Sequence, residues 1–217
     1  MARTALIAGP TGLVGRLLLD RLLANPQYSR VTVLTRRTLG RSDPKLVEVE
    51  TDYSDLEKLG DRLAADDVFC CLGTTLAKAG SRAAFERVDY HMVVELARAT
   101  KQAGAKQFLV VSAVGAAPRF PAPFYSRVKA RMEQAVSEIG FDAVHIVRPS
   151  LLLGSRGERR IAEDIAQKVA PLLAPLFIGP LKKYRPVPAD AVASALEQLA
   201  SRPAPGARIH HLPLDAA

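Results

Sequence analysis

Along the chain, short apolar runs rich in β-branched residues alternate with longer stretches whose apolar positions recur every three or four residues. The short runs are TALIAG, RVTVLT, KLVEVE, DDVFCCLG, QFLVVSA and AVHIVRP. Near-continuous apolar content in so few residues predicts strands buried on both faces. Between them, GLVGRLLLDRLLANP sets Val14, Leu17, Leu18 and Leu22 along one stripe with Arg16 and Asp20 off it, and stops at Asn25-Pro26. FERVDYHMVVELARATKQAG reads as one long helix ending at Gly104. Strand and helix in alternation predict an α/β fold, a doubly wound and mostly parallel sheet with helices on both faces.

After Pro149 the texture changes. SLLLGSRGERRIAEDIAQKVAPLLAPLFIGPLKKYRPVP is helical in character and broken by prolines, and predicts a small C-terminal helical cap over about 151–188. ADAVASALEQLAS then reads as an amphipathic helix and ARIHHLPL as an edge strand, together a helix–strand unit over 189–213. The prolines of PLLAPLFIGPL interrupt any membrane-surface helix, so a substrate-pocket wall or a subunit contact is the simpler reading. A length of 217 residues suits one well-buried core, so a single domain over 1–217 is expected.

Composition narrows the classes without choosing among them. Hydrophobic residues make up 48% and charged residues 24%, which excludes disorder by composition. No apolar run reaches the ~18 residues of a membrane-spanning helix. The net charge of +8 comes from basic residues spread along the chain and not interleaved with aromatics, which argues against nucleic acid as a partner. Cys70 and Cys71 are neighbours in a predicted strand, point to opposite faces and are expected as free thiols. With no long apolar leader in MARTALIAGP, they suggest a cytoplasmic location. His91, His145, His210 and His211 show no metal-ligand spacing, so no metal is expected.

The first predicted strand runs into GPTGLVG, with Gly9, Gly12 and Gly15 at three-residue intervals and a helix directly after. Glycine there permits a tight turn and a close backbone approach to a pyrophosphate at the helix N-terminus. Gly9, Thr11, Gly12, Leu13, Val14 and Gly15 are therefore candidate dinucleotide contacts in a Rossmann-type fold. At the end of the second strand stand Arg36 and Arg37, with no acidic residue in their place. Guanidinium there suits the 2′-phosphate of NADP, where a carboxylate would hold the ribose of NAD, so NADPH is the expected cofactor.

FYSRVKARMEQ places Tyr125 and Lys129 four residues apart, one turn of a helix, so both side chains share a face. Ser112 ends the fifth strand thirteen positions earlier. A phenol with pKa near ~10 is a poor acid–base group at neutral pH, and a neighbouring ammonium stabilises its phenolate. The G-x-x-G-x-x-G loop, Ser112 and Y-x-x-x-K together resemble the extended and atypical short-chain dehydrogenases. CLGTTLAKAGSRAAFERVDY, SAVGA and FYSRVKARMEQ are similar to the Tat-interacting oxidoreductases within them.

That resemblance implies a Tyr125–Lys129–Ser112 catalytic set, with Lys129 also binding the nicotinamide ribose. It puts Asp52 and Tyr53 beside the adenine, and Cys71, Leu72, Gly73 and Thr74 along the adenine ribose and pyrophosphate. Pro149, Ser150 and Leu151 would run along the nicotinamide. Two positions depart from the pattern: Asp89 stands where many extended members carry asparagine. Ala113 replaces the second serine of relatives that read Ser-Ser, which leaves Ser112 as the candidate. The implied activity is NADPH-dependent reduction of a carbonyl, or oxidation of an alcohol, in a small and non-polar substrate. The alternative is a non-catalytic NADPH-binding regulatory or redox-sensing protein. A homodimer is expected by analogy alone.

Overall fold

The computed structural model describes residues 2–119, 121–150, 152–153 and 186–214. Strands form at all six apolar runs: β1 (Arg3–Ala8), β2 (Tyr28–Thr35), β3 (Leu46–Glu50), β4 (Asp67–Cys70), β5 (Gln107–Val111) and β6 (Ala143–Arg148). A two-stranded pair, β7 (Leu152–Leu153) and β8 (Val187–Pro188), lies apart from them. The predicted edge strand is β9 (Gly206–His211), and the seven-stranded sheet runs β3-β2-β1-β4-β5-β6-β9. Each neighbouring pair in it is parallel, so the sheet is parallel throughout. The chain moves outward from β1 to β3 and then crosses to β4 on the other side of β1. That reversal opens a crevice at the carboxyl ends of β1 and β4, where doubly wound sheets bind ligands.

Alternation along each strand feeds two cores. Leu6 and Ala8 of β1 face one side with Leu34, Val68, Phe108 and Ile146. Ala5 and Ile7 face the other with Val31, Phe69 and Leu109. Both faces are apolar, which is why these strands read as continuous hydrophobic runs. The helices over the second face are α1 (Leu13–Ala24), through Leu18 and Leu22, and the helix near the C-terminus, through Val192 and Leu196. In between come α2 (Leu76–Ala79), α3 (Arg82–Glu86), α4 (Met92–Gln102) and α5 (Phe124–Ser137), and the C-terminal helix is α6 (Ala189–Ser201). Helices α4 and α5 cover the first face, with Leu96 and Met132 fully buried.

The long helix expected from Phe85 to Gly104 is interrupted by a π turn at Arg87–His91, between α3 and α4. A π turn holds one more residue than an α turn, and it rotates Asp89 to the inside, where it is 1% exposed. Apolar periodicity does not reveal such an insertion, because the residue it turns inward is charged. Most of the expected cap over 151–188 lies outside the described residues. Among them, no helix is long and apolar enough to cross a membrane.

At the amino ends of the strands a buried polar cluster ties the sheet to α6. Asp67 accepts hydrogen bonds from Arg3, from the Tyr28 hydroxyl at 2.7 Å and from Gln107 Nε2 at 2.9 Å. Arg3 and Gln107 also donate to the Ala200 carbonyl, at 2.7 and 3.1 Å. Across β6 and β9, His145 Nδ1 lies 3.0 Å from His210 Nε2, a juxtaposition of residues 65 positions apart that their spacing did not suggest. Burial pushes His145 down to about 4 and lowers His210 as well, which favours the neutral form of both rings.

Removing the Asp67 carboxylate takes the acceptor from the buried Tyr28 hydroxyl and leaves Arg3 and Gln107 with the Ala200 carbonyl alone. Asp67→Ala should therefore lower the unfolding free energy by about 3–5 kcal/mol. A lower urea midpoint at unchanged slope would register it.

Candidate functional site

At the exit of β1 the chain turns on Gly9, at φ +78°, a conformation open to glycine. A Cβ on Gly9 would stand 2.8 Å from the Cys71 carbonyl oxygen, and one on Gly15 would stand 2.1 Å from the Gly9 carbonyl oxygen. Main chain therefore packs on main chain at both places, with no room for a side chain. Helix α1 begins at Leu13 with Gly12 as its N-cap, no side-chain cap and no acidic residue in its first turn. Its first N–H groups are left for an anion, and the helix dipole favours one there.

Above this loop is a cavity of about 750 Å³. Gly9, Thr11 and Gly12 line its floor, Cys71, Leu72, Gly73 and Thr74 one wall, and Arg36, Asp52 and Tyr53 the far end. Ten of the sequence-predicted cofactor residues are thus brought together. Leu13, Val14 and Gly15 start α1 behind the loop, with Val14 and Gly15 buried. Arg37 is exposed and its carbonyl accepts from Thr35 Oγ1 at 2.7 Å, so of the two arginines Arg36 reaches the cavity.

The pocket has two further cations that motif reading passed over, Lys78 and Arg87. Arg87 is paired with Glu95 at 2.7 Å, whereas Arg36 and Lys78 have no carboxylate partner among the described residues. Lys78 lies within the short helix α2 after β4, a place no fingerprint spacing marks. Tyr53 is held at φ 67°, costly by about 1–2 kcal/mol for a residue with a Cβ. Its ring turns inward and its hydroxyl donates to the Leu34 carbonyl at 3.0 Å, so the buried ring supports the far end from beneath. Asp52 Oδ1 accepts from the Ser54 N–H at 2.9 Å and the Ser54 hydroxyl at 2.7 Å, bonds that hold its carboxyl below the usual range.

Behind Gly73 is the second part of the site. Lys129 Nζ contacts Asp89 Oδ1 at 2.8 Å, with side-chain exposures of 5% and 1%. Asp89 Oδ2 accepts the Thr74 N–H at 2.9 Å. A Cβ on Gly73 would lie 3.5 Å from Asp89 Oδ1 and 3.9 Å from Lys129 Nζ, so this glycine lets the cavity wall pass close over the pair. Burial alone would push the Lys129 ammonium down, but Asp89 and the nearby Tyr125 hold it above its ordinary value. Tyr125, one turn earlier, packs its ring 5.5 Å from Phe85. Burial raises its hydroxyl above the ordinary value, and the opposing pull of Lys129 is offset by Asp89.

Ser112, the third member, is buried at the end of β5 and donates to Glu133 Oε1 at 2.5 Å. Glu133 also receives Arg148 Nε at 2.9 Å and Arg148 Nη2 at 2.5 Å. The serine is thus tied to a buried carboxylate that sequence reading did not foresee, one turn beyond Lys129 on α5. Pro149 is buried and its carbonyl accepts the Val114 N–H at 2.8 Å, Ser150 is half-buried, and Leu151 lies outside the described residues.

A paired-glycine cradle, an uncapped helix N-terminus and a cavity lined by Arg36, Lys78 and Arg87 fit a dinucleotide. Comparisons with known proteins agree. The model of the NAD dependent epimerase/dehydratase family matches residues 5–187. Protein fmp52-1, mitochondrial, of Aspergillus terreus is 35% identical over 201 residues, covering 90% of this chain and 85% of its own length. Protein HTATIP2 of Rattus norvegicus is 36% identical over 170 residues, covering 76% of this chain and 69% of its own. It bears out the similarity to the Tat-interacting branch. Among solved structures, MoeE5 in complex with UDP-glucose and NAD gives a TM-score of 0.69 at 17% identity, over 95% of this chain and 75% of that one. At that identity the likeness is one of fold.

One expectation is corrected. Relatives from several fungi are named mitochondrial, which points away from the cytoplasmic location. Free thiols suit any reducing compartment, so the cysteines could not discriminate.

The contact of Gly15 with the Gly9 carbonyl yields a direct test. Gly15→Ala should force α1 off the loop and cost about 1–3 kcal/mol. The neighbouring exposed change Arg16→Ala should stay within about 0.5 kcal/mol, both read by thermal unfolding.

Proposed function

The chain belongs to the NAD dependent epimerase/dehydratase family, and on that premise we propose that it is an NADPH-dependent oxidoreductase that reduces the carbonyl of a small, non-polar substrate. The observation that carries this reading is the buried Lys129 ammonium, one helical turn from Tyr125 and directly behind the cavity wall at Gly73. When bound, a reduced nicotinamide supplies a hydride to the carbonyl carbon. Tyr125 gives its hydroxyl proton to the carbonyl oxygen as the C=O π bond opens, and hydride plus proton account for the alcohol formed. The phenolate left behind regains its proton from solvent. Lys129 keeps donor capacity beyond Asp89 for the ribose hydroxyls, since an ammonium carries three N–H groups.

Loop N–H groups at the start of α1 hold the pyrophosphate. Arg36 and Lys78, without a carboxylate partner among the described residues, supply positive charge for a 2′-phosphate, and the nearby Asp52 is engaged by Ser54. A second reading, an NADPH-binding sensor without turnover, is favoured by one observation: the Ser112 hydroxyl is committed to Glu133.

Calorimetric titration should show NADPH binding at least tenfold tighter than NADH, about 1.4 kcal/mol. Arg36→Ala should erase most of that difference, and equal affinities in the parent protein would remove the 2′-phosphate argument. On the enzyme reading, Tyr125→Phe should lower turnover of a reducible carbonyl substrate by about 10²–10⁴-fold and leave the NADPH affinity unchanged. Tight NADPH binding with no turnover of any carbonyl by the parent protein would favour the sensor.

A further inference from the structure

The sequence pattern assigns Lys129 the task of lowering the Tyr125 pKa, yet the lysine is not free to do so by charge alone. Its ammonium sits 2.8 Å from the Asp89 carboxylate, and neither side chain is more than 5% exposed. Asp89 in turn is held on two sides. The π turn Arg87–His91 rotates it inward, and its second oxygen accepts the Thr74 N–H at 2.9 Å. Thr74 belongs to the cavity wall, so this one carboxylate joins the wall, the α3–α4 turn and helix α5.

From this geometry we infer that Asp89 is a positioning residue: it cancels the Lys129 charge, holds Tyr125 protonated, and so makes the site a proton donor rather than a proton acceptor. The inference rests on the reductase reading and adds its direction. A reduction consumes the phenolic proton, whereas an alcohol oxidation needs the phenolate, which a neutral ion pair does nothing to stabilise. Among the described residues, two charged groups act on Tyr125. Lys129 faces it from its own helix and Asp89 from the π turn. Cys70 of β4 faces Lys129, but burial pushes its thiol up to about 12, which leaves it neutral. Phe85 of α3 packs against the ring. With asparagine at position 89, the lysine charge would act on the phenol uncompensated.

The test is an alkaline phenolate titration, followed by ultraviolet absorbance after rapid pH jumps. The chain holds five tyrosines and no tryptophan, so the parent-minus-Tyr125→Phe difference isolates one phenol. In the parent protein its midpoint should lie above the ordinary value of about 10. Asp89→Asn keeps the side-chain shape and an oxygen for the Thr74 N–H, and should lower that midpoint by about one pH unit or more. The double change Asp89→Asn with Lys129→Met should return it toward the parent value, which a merely structural role for Asp89 would not do. A parent midpoint below about 10 overturns the inference without any variant at position 89. An unchanged midpoint in a folded Asp89→Asn protein overturns it as well. None of these readings needs cofactor or turnover, so a failed carbonyl screen would remove the reductase reading and leave this result standing.

Discussion

Two main chains meet at the carboxyl ends of β1 and β4 with no space between them for a side chain, and the rest of the upper face is arranged around that contact. Gly9 packs against the Cys71 carbonyl and Gly15 against the Gly9 carbonyl. The first contact draws the β4 exit loop over the turn, and the second sets α1 directly on it. A parallel sheet puts both exits at the same end, so one close approach serves both walls of the crevice. Everything else at the site, from Arg36 to Gly73, is placed relative to this contact.

Helix α5 carries the other organising feature, a file of polar side chains turned into the protein. Tyr125, Lys129 and Glu133 recur at four-residue intervals. Lys129 and Glu133 are buried ions, and each meets its opposite charge from elsewhere in the fold: Asp89 from the π turn and Arg148 from the end of β6. Buried ions are costly unless paired and hydrogen-bonded, so these pairs are better explained by position than by stability. The first sets the charge beside Tyr125. The second takes up the Ser112 hydroxyl, which changes that serine from a free donor into a group whose proton is already committed.

Much of this was legible in the chain. The six apolar runs are strands β1 to β6, and the central ones show no polar alternation because they are buried on both faces. The glycine spacing marked the cradle because glycine is the one residue that tolerates main-chain contact, and FYSRVKARMEQ marked one face of a helix because four residues make about one turn. The π turn escaped because it inserts a residue into a helix whose apolar stripe continues on either side. Lys78 and Glu133 escaped because no local pattern distinguishes a charge that lines a site from one that faces water.

By itself, then, the sequence determined the strands of the main sheet, their order and their parallel pairing, since these follow from local periodicity and from the short reach of the connections. It also determined which loop can approach a dinucleotide. Tertiary structure alone decided what each charged group is paired with. Asp89 and Lys129 stand forty residues apart in the chain, as far from each other as any two unrelated side chains, and meet at 2.8 Å because the π turn and α5 pack against the same wall. Electrostatics depends on distance through space, which sequence spacing does not encode beyond a turn of helix or a pair of strands.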